Sequence, residues 1–184
     1  MKKIEIHVHA KKHCRKIVPL SRMQTPDAVK TVLRHPRRLG ELLDLLGDQD
    51  IPVRGRAAAT LARLAESHPE SLLKALPRLR EYMGDYSDYV RWHLVYAFGE
   101  IAARVFEPAR EYWVDIFARM DDDNRVVRLF ARKAAAKLAA KHPDAVVTFF
   151  SDIQRPIPQE LAKLVGERHA SLPGQHPGRS TEFR

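Results

Sequence analysis

The sequence predicts an all-α chain, an α-solenoid of antiparallel helical hairpins, and three observations carry that prediction. Asp48 to Arg54, Asp85 to Arg91 and Asp122 to Arg128 superimpose at an offset of 37 residues, with Asp, Val and Arg at the same spacing. An apolar pattern of helical period follows each of the three. Pro69, Pro108 and Pro143 recur where the first helix of each hairpin should start. A period in this range belongs to hairpins that bury their apolar faces only against their neighbours.

Each element follows from local signals. Residues 1–25 lack helical periodicity and are expected to form a short extended arm, either one strand or a disordered segment. Within them Ile4, Ile6, Val8 and Ala10 alternate with Lys3, Glu5, His7 and His9. Thr25-Pro26-Asp27 is expected to cap a short helix running to about Arg34. The solenoid then spans 26–170, with hairpins at 36–67, 69–105 and 108–141 and a weaker one at 143–170. Gly47-Asp48-Gln49-Asp50 forms the first turn, and Arg155-Pro156-Ile157-Pro158 interrupts the last pair. Residues 171–184, rich in Pro, Gly and Ser, read as a disordered tail.

Aligned at the repeat offset, the second helices share Val53/Val90/Val127, Ala57/Leu94/Ala131, Leu61/Phe98/Ala135 and Leu64/Ile101/Leu138. The first helices share Leu42/Leu79/Ile116 and Leu46/Met83/Met120, and Leu76 matches Trp113 and Phe150. These positions vary in size and stay apolar, as a common core requires.

Composition bounds the function. The sequence is 45% hydrophobic and 30% charged, and no apolar run approaches the roughly 18–20 residues that cross a bilayer. A single cysteine, Cys14, allows no intramolecular disulfide, so a cytoplasmic protein without a membrane partner is expected. The net charge of +9 is unevenly placed: residues 1–40 hold 11 Lys/Arg against 2 acids. The repeats are nearly neutral, and the excess belongs to the arm and the short helix after it.

The repeated residues resemble HEAT repeats, which have hairpins of this length, an Asp in the turn and Val-Arg opening the second helix. Three copies, over about residues 36–141, carry the resemblance, and Pro77 fits the kinking proline of such first helices. It implies that Asp48, Arg54, Asp85, Arg91, Asp122 and Arg128 form a structural ladder between adjacent repeats. An alternative use of the arginines, a row of phosphate forks, is disfavoured because each travels with an Asp six residues before it.

Function is then expected where the copies differ, on the concave face of the second helices. Arg56 and Arg63, then Trp92, His93, Tyr96 and Glu100, then Lys133 and Lys137 are the candidate partner-binding residues. A second candidate is the arm, whose Lys2, Lys3, Lys11, Lys12, Arg15, Lys16 and Arg22 suit nucleic acid or an acidic partner. His7, His9, His13 and Cys14 have the residue types of a zinc site and are a weak candidate for one. No catalytic signature and no cofactor motif appears. The expected function is a non-catalytic scaffold that binds a protein partner through its concave face. The alternative is a nucleic-acid binder using arm and groove, with a DNA glycosylase-type enzyme a distant third.

Overall fold

The structure, a computed structural model, describes residues 18–169, with side chains to 166. The elements of the arm expected before residue 18, and the tail from 170 onward, lie outside the described residues. Among the described residues all regular structure is helical: α1 (Thr25–Arg34), α2 (Leu39–Asp44), α3 (Ile51–Ser67), α4 (Leu76–Glu81), α5 (Asp88–Arg104), α6 (Phe106–Ala109), α7 (Trp113–Ala118), α8 (Arg125–Lys141), α9 (Pro143–Asp152) and α10 (Gln159–His169).

The three long helices α3, α5 and α8 are the second members of the hairpins and form one layer, α5 packing between the other two. The first members are broken into short pieces. Before α4, residues Pro69–Ala75 wind as a 3₁₀ helix, and the junction falls beside Pro77, which has no N–H to continue the ladder of helical bonds. Helix α1 packs against α3, and α10 packs against α8, so the layer is closed by a shorter helix at each end.

The aligned apolar positions form one continuous core. Leu61, Phe98 and Ala135 are all fully buried, as are Leu64, Ile101 and Leu138, and Trp113 lies among Phe106, Phe117 and Phe149. Val53 is only half-buried, because the first hairpin has a short N-terminal segment beside it where Val90 and Val127 have a full preceding repeat.

Three sequence expectations change. Gln24, not Thr25, occupies the cap position of α1, and Thr25 is already helical. The third hairpin starts at Phe106, two residues before Pro108. Residues 18–25 are not part of a free arm. Leu20 is buried, its N–H donates to Glu41 at 2.9 Å, and Arg38 and Arg56 donate to the carbonyls of Val18 and Ser21.

The layer is tight because small residues face one another. A Cβ placed on Gly99 of α5 would lie 2.5 Å from the Cβ of Ala134 on α8, closer than packed carbon atoms approach. Gly99→Ala therefore loses stability despite the better helix propensity of Ala, and Gly99→Val loses about 1–3 kcal/mol. Urea unfolding should show the lower midpoint, and adding Ala134→Gly to Gly99→Ala should restore part of it.

Candidate functional site

The turns that open the long helices share one hydrogen-bond scheme. Asp48, Asp85 and Asp122 each use Oδ1 to accept the N–H two residues on, from Asp50, Ser87 and Asn124, at 2.7–3.0 Å. Those three residues are the N-caps of α3, α5 and α8. Arg54, Arg91 and Arg128 each donate through Nη1 to the carbonyls of that Asp and the residue after it, at 2.6–3.3 Å. The remaining edge of the guanidinium reaches the next repeat. Arg54 donates to both oxygens of Asp85, at 3.1 and 3.4 Å, and Arg91 to both oxygens of Asp122, at 3.0 and 2.9 Å. The result is a run of bidentate pairs along the turn edge, none of whose residues lines the groove described below.

Asp122 is the most enclosed of these carboxylates, its side chain 2% exposed. Burial alone pushes its pKa up, but the hydrogen bond from Arg91, the Asn124 N–H and the contact with Asp123 together hold it below the ordinary carboxylate range. With the folded pKa depressed, the pair contributes stability that is fully present above about pH 4 and is lost as the pH falls below it. The difference in melting temperature between the native protein and Asp122→Asn should therefore shrink on acidification below that point. At neutral pH, Arg91→Ala removes the bidentate partner of the buried Asp122 and leaves it only the longer contact with the part-exposed Arg119, at 3.3 Å, so it should cost about 3 kcal/mol, well above Arg128→Ala. Equal losses in chemical denaturation would refute the ladder's role.

Along the long-helix layer lies a groove of about 880 Å³. Its trough is set by the small Ala59 and Ala62 of α3, and its far wall by Tyr89, Trp92, His93 and Tyr96 of α5 with Phe130 of α8. Pro26, Val29 and Lys30 of α1 close the near end. Trp92 stacks on Phe130 with ring centroids 4.6 Å apart, and Tyr96 meets the same Phe130 edge-on at 5.8 Å. Lys133 holds its ammonium 5.4 Å from the Phe130 ring centre. Tyr89 lies on bare backbone at Gly55, where a Cβ would sit 2.9 Å from its ring.

Several residues expected on an open face prove engaged. His93 is buried, stacked on Trp92, with Nδ1 2.8 Å from the Tyr89 carbonyl, which requires the hydrogen on Nδ1. Burial lowers its pKa, the Tyr89 carbonyl opposes that shift and Arg63 adds to it, so the ring is neutral at pH 7. Glu100 is buried and bridges Lys137 at 2.5 Å and Arg104 at 3.2 Å. Arg56 is tied to Ser21. For His93 and Glu100 the reason is that α5 is flanked on both sides, so its solvent stripe is narrower than helical spacing implies; Arg56, on α3, is engaged instead by the segment before α1. Trp92 and Tyr96 are half-buried and still line the groove; Arg63 remains on its exposed rim, and Lys133 is exposed beside Phe130.

Burial raises the pKa of Tyr96, with the carboxylates of Glu100 and Glu66 adding to the shift, so its hydroxyl stays protonated. Arg63 pairs with Glu66 at 2.9 Å across an exposed surface, a weak contact that a ligand can displace. Phe130 and Glu66 were not among the sequence candidates. Phe130 was legible, since it occupies the repeat position of Arg56 and His93; Glu66 carries no such signal. Arg22 is exposed at the end of the short 3₁₀ turn Leu20–Arg22, while Lys2, Lys3, Lys11, Lys12, Arg15, Lys16, His7, His9, His13 and Cys14 lie outside the described residues. Among the described residues no group of metal-ligating side chains occurs, and no helix is long and apolar enough to cross a membrane.

A layered stack of helical hairpins with a ladder of Asp–Arg pairs and a groove along its long helices defines a helical-repeat solenoid. The chain belongs to the HEAT-repeat family, whose profile matches residues 39–135. No curated protein sequence matches it. Among solved structures it is similar to an archaeal HEAT-like repeat protein from Thermococcus onnurineus NA1, at 18% identity and TM-score 0.57, over 80% of this chain and 59% of that one. It is also similar to the designed armadillo repeat protein YIII(Dq)4CqI, at 21% identity and TM-score 0.55, over 76% of this chain and 66% of that one. A related design, in complex with the peptide (KR)4, matches at 19% identity and TM-score 0.53, over 79% of this chain and 68% of that one. The chain thus spans somewhat under two thirds of the archaeal protein and about two thirds of the designed ones, and the likeness is one of fold.

Proposed function

We propose that the protein is a non-catalytic scaffold that binds a peptide segment of a protein partner in the groove between α1, α3, α5 and α8. The observation that carries this reading is the groove itself, an aromatic wall of Trp92, Tyr96 and Phe130 facing a trough of alanines. Aromatic side chains with one face packed and one face open supply contact area at little entropic cost. The charges at or beside the rim are Lys30, Arg63, Glu66 and Lys133, so the segment best suited carries an apolar anchor flanked by acidic residues. A peptide occupies the related designed solenoid; its Lys/Arg sequence is opposite in charge to the one favoured here. Apart from the exposed Lys30, the groove's titratable groups are held in ring contacts, ion pairs or backbone hydrogen bonds, which supports binding over proton transfer.

Peptide display on the full-length protein, followed by affinity measurement, tests this. Selected peptides should be acidic with an aromatic or aliphatic anchor. They should quench Trp92 fluorescence while leaving buried Trp113 unchanged, and they should bind at least about tenfold more weakly to Ala59→Glu, which fills the trough with bulk and like charge. Failure to select any peptide, or unchanged affinity in Ala59→Glu, would overturn the reading.

A second reading rests on the basic N-terminal region, in which Lys30, Arg34 and Arg37 are exposed on α1 and the turn that follows. It is a nucleic-acid binder, and it requires affinity for DNA or RNA that falls steeply between low and physiological salt. Base release from alkylated DNA would be needed to revive a glycosylase.

A further inference from the structure

The Asp–Arg ladder ends unfinished. Arg54 and Arg91 each close on a carboxylate of the next repeat, but position 159, which the spacing would give to the next Asp, is Gln159. Arg128 is held as its counterparts are, with Nη1 donating to the carbonyls of Asp122 and Asp123 at 2.6 and 2.8 Å. Its Nε and Nη2, the edge that grips Asp85 and Asp122 in the other rungs, have no partner among the described residues. The guanidinium is half-buried and oriented by two hydrogen bonds, so a fork for a carboxylate is already formed.

A second difference lies beside it. In the middle repeat the residue after the ladder arginine is Trp92, covered by Phe130 of the next helix. In the last repeat that residue is Leu129, 49% exposed, because α10 begins late and covers less of α8 than α8 covers of α5. Val126 is exposed nearby, and Arg125 is exposed on the Arg128 side of α8. Arg132, one turn on, is paired only across solvent with Glu160 at 3.5 Å. Arg125, Arg128 and Arg132 thus stand around an apolar spot, with the carboxylates of Glu160 on Arg132 and Asp123 on Arg91, and one planar, two-donor receptor lies at its edge.

We infer that this open rung is a docking site for an aspartate-bearing turn of a protein partner, which completes the ladder as a further repeat would. The Asp carboxylate sits on Nε and Nη2 of Arg128, and an apolar residue following that Asp covers Leu129. Arg rather than Lys matters here because the two donors match the two carboxylate oxygens. The site is separate from the groove, so the two fail independently.

The test follows the arginine Nε–H resonances of the full-length ¹⁵N-labelled protein by NMR. In the free protein the Arg128 signal should stand apart from those of Arg54 and Arg91. The probe is the acetylated 12-residue peptide of residues 120–131, which presents the protein's own Asp turn and Phe130. Titration should move the Arg128 signal saturably towards those of the two paired arginines while Arg54 and Arg91 stay fixed. The same peptide carrying D122N should give no such shift, and Arg128→Lys should abolish binding while keeping the charge. An unmoved Arg128 signal at millimolar peptide, or an equal shift with the D122N peptide, would overturn the inference. So would an Arg128 signal that already lies with the paired arginines in the free protein, since the fork would then be filled from within the molecule.

Discussion

The bidentate contact between an arginine near the start of one long helix and the turn aspartate of the next repeat governs the geometry of the molecule. One Asp does three things at once: it fixes its own turn, presents the N-cap residue of the next helix, and receives the preceding repeat's guanidinium. The arginine in turn ties up two turn carbonyls that would otherwise lack partners. Because both groups are largely withdrawn from water, neither is tolerable alone, and the pair sets the register of neighbouring hairpins more than it adds net stability.

That register creates the groove. With the turn edge locked, α3, α5 and α8 lie side by side, and the close approach at Gly99 and Ala134 draws the opposite faces together. Side chains from separate repeats then meet: Trp92 and Phe130 come from successive helices and build one aromatic wall. The alanines of α3 leave the space in front of it. Binding geometry here is a by-product of helix spacing, which is why a change in the core at residue 99 should be felt at the surface.

Much of the fold was legible in the sequence because a repeat reports the same structural demand several times. Leu64, Ile101 and Leu138 agree, and so do Asp48, Asp85 and Asp122, and each agreement removes ambiguity that one helix would leave. The candidate site was legible only in part. Periodicity placed Trp92, Tyr96 and Arg63 on the side of their helices that lines the groove, and Lys133 beside Phe130. It could not show that His93, though it lines the groove, is buried, or that Glu100 is, because their burial depends on how far the flanking helices wrap around α5. Lys137 was placed on an open face, and its ammonium instead neutralises Glu100.

The sequence by itself determined the class of fold, the recurrence of the hairpins, the core and the partners in the ladder. Those follow from short-range spacing and from the repetition of one pattern, both written in the order of residues. Only the tertiary structure decided which exposed stripes stay exposed, that residues 18–25 belong to the packed body, and that no described residue closes on the outer edge of the Arg128 guanidinium. These depend on distances between helices and on how far the terminal elements wrap the layer, which no spacing along the sequence records.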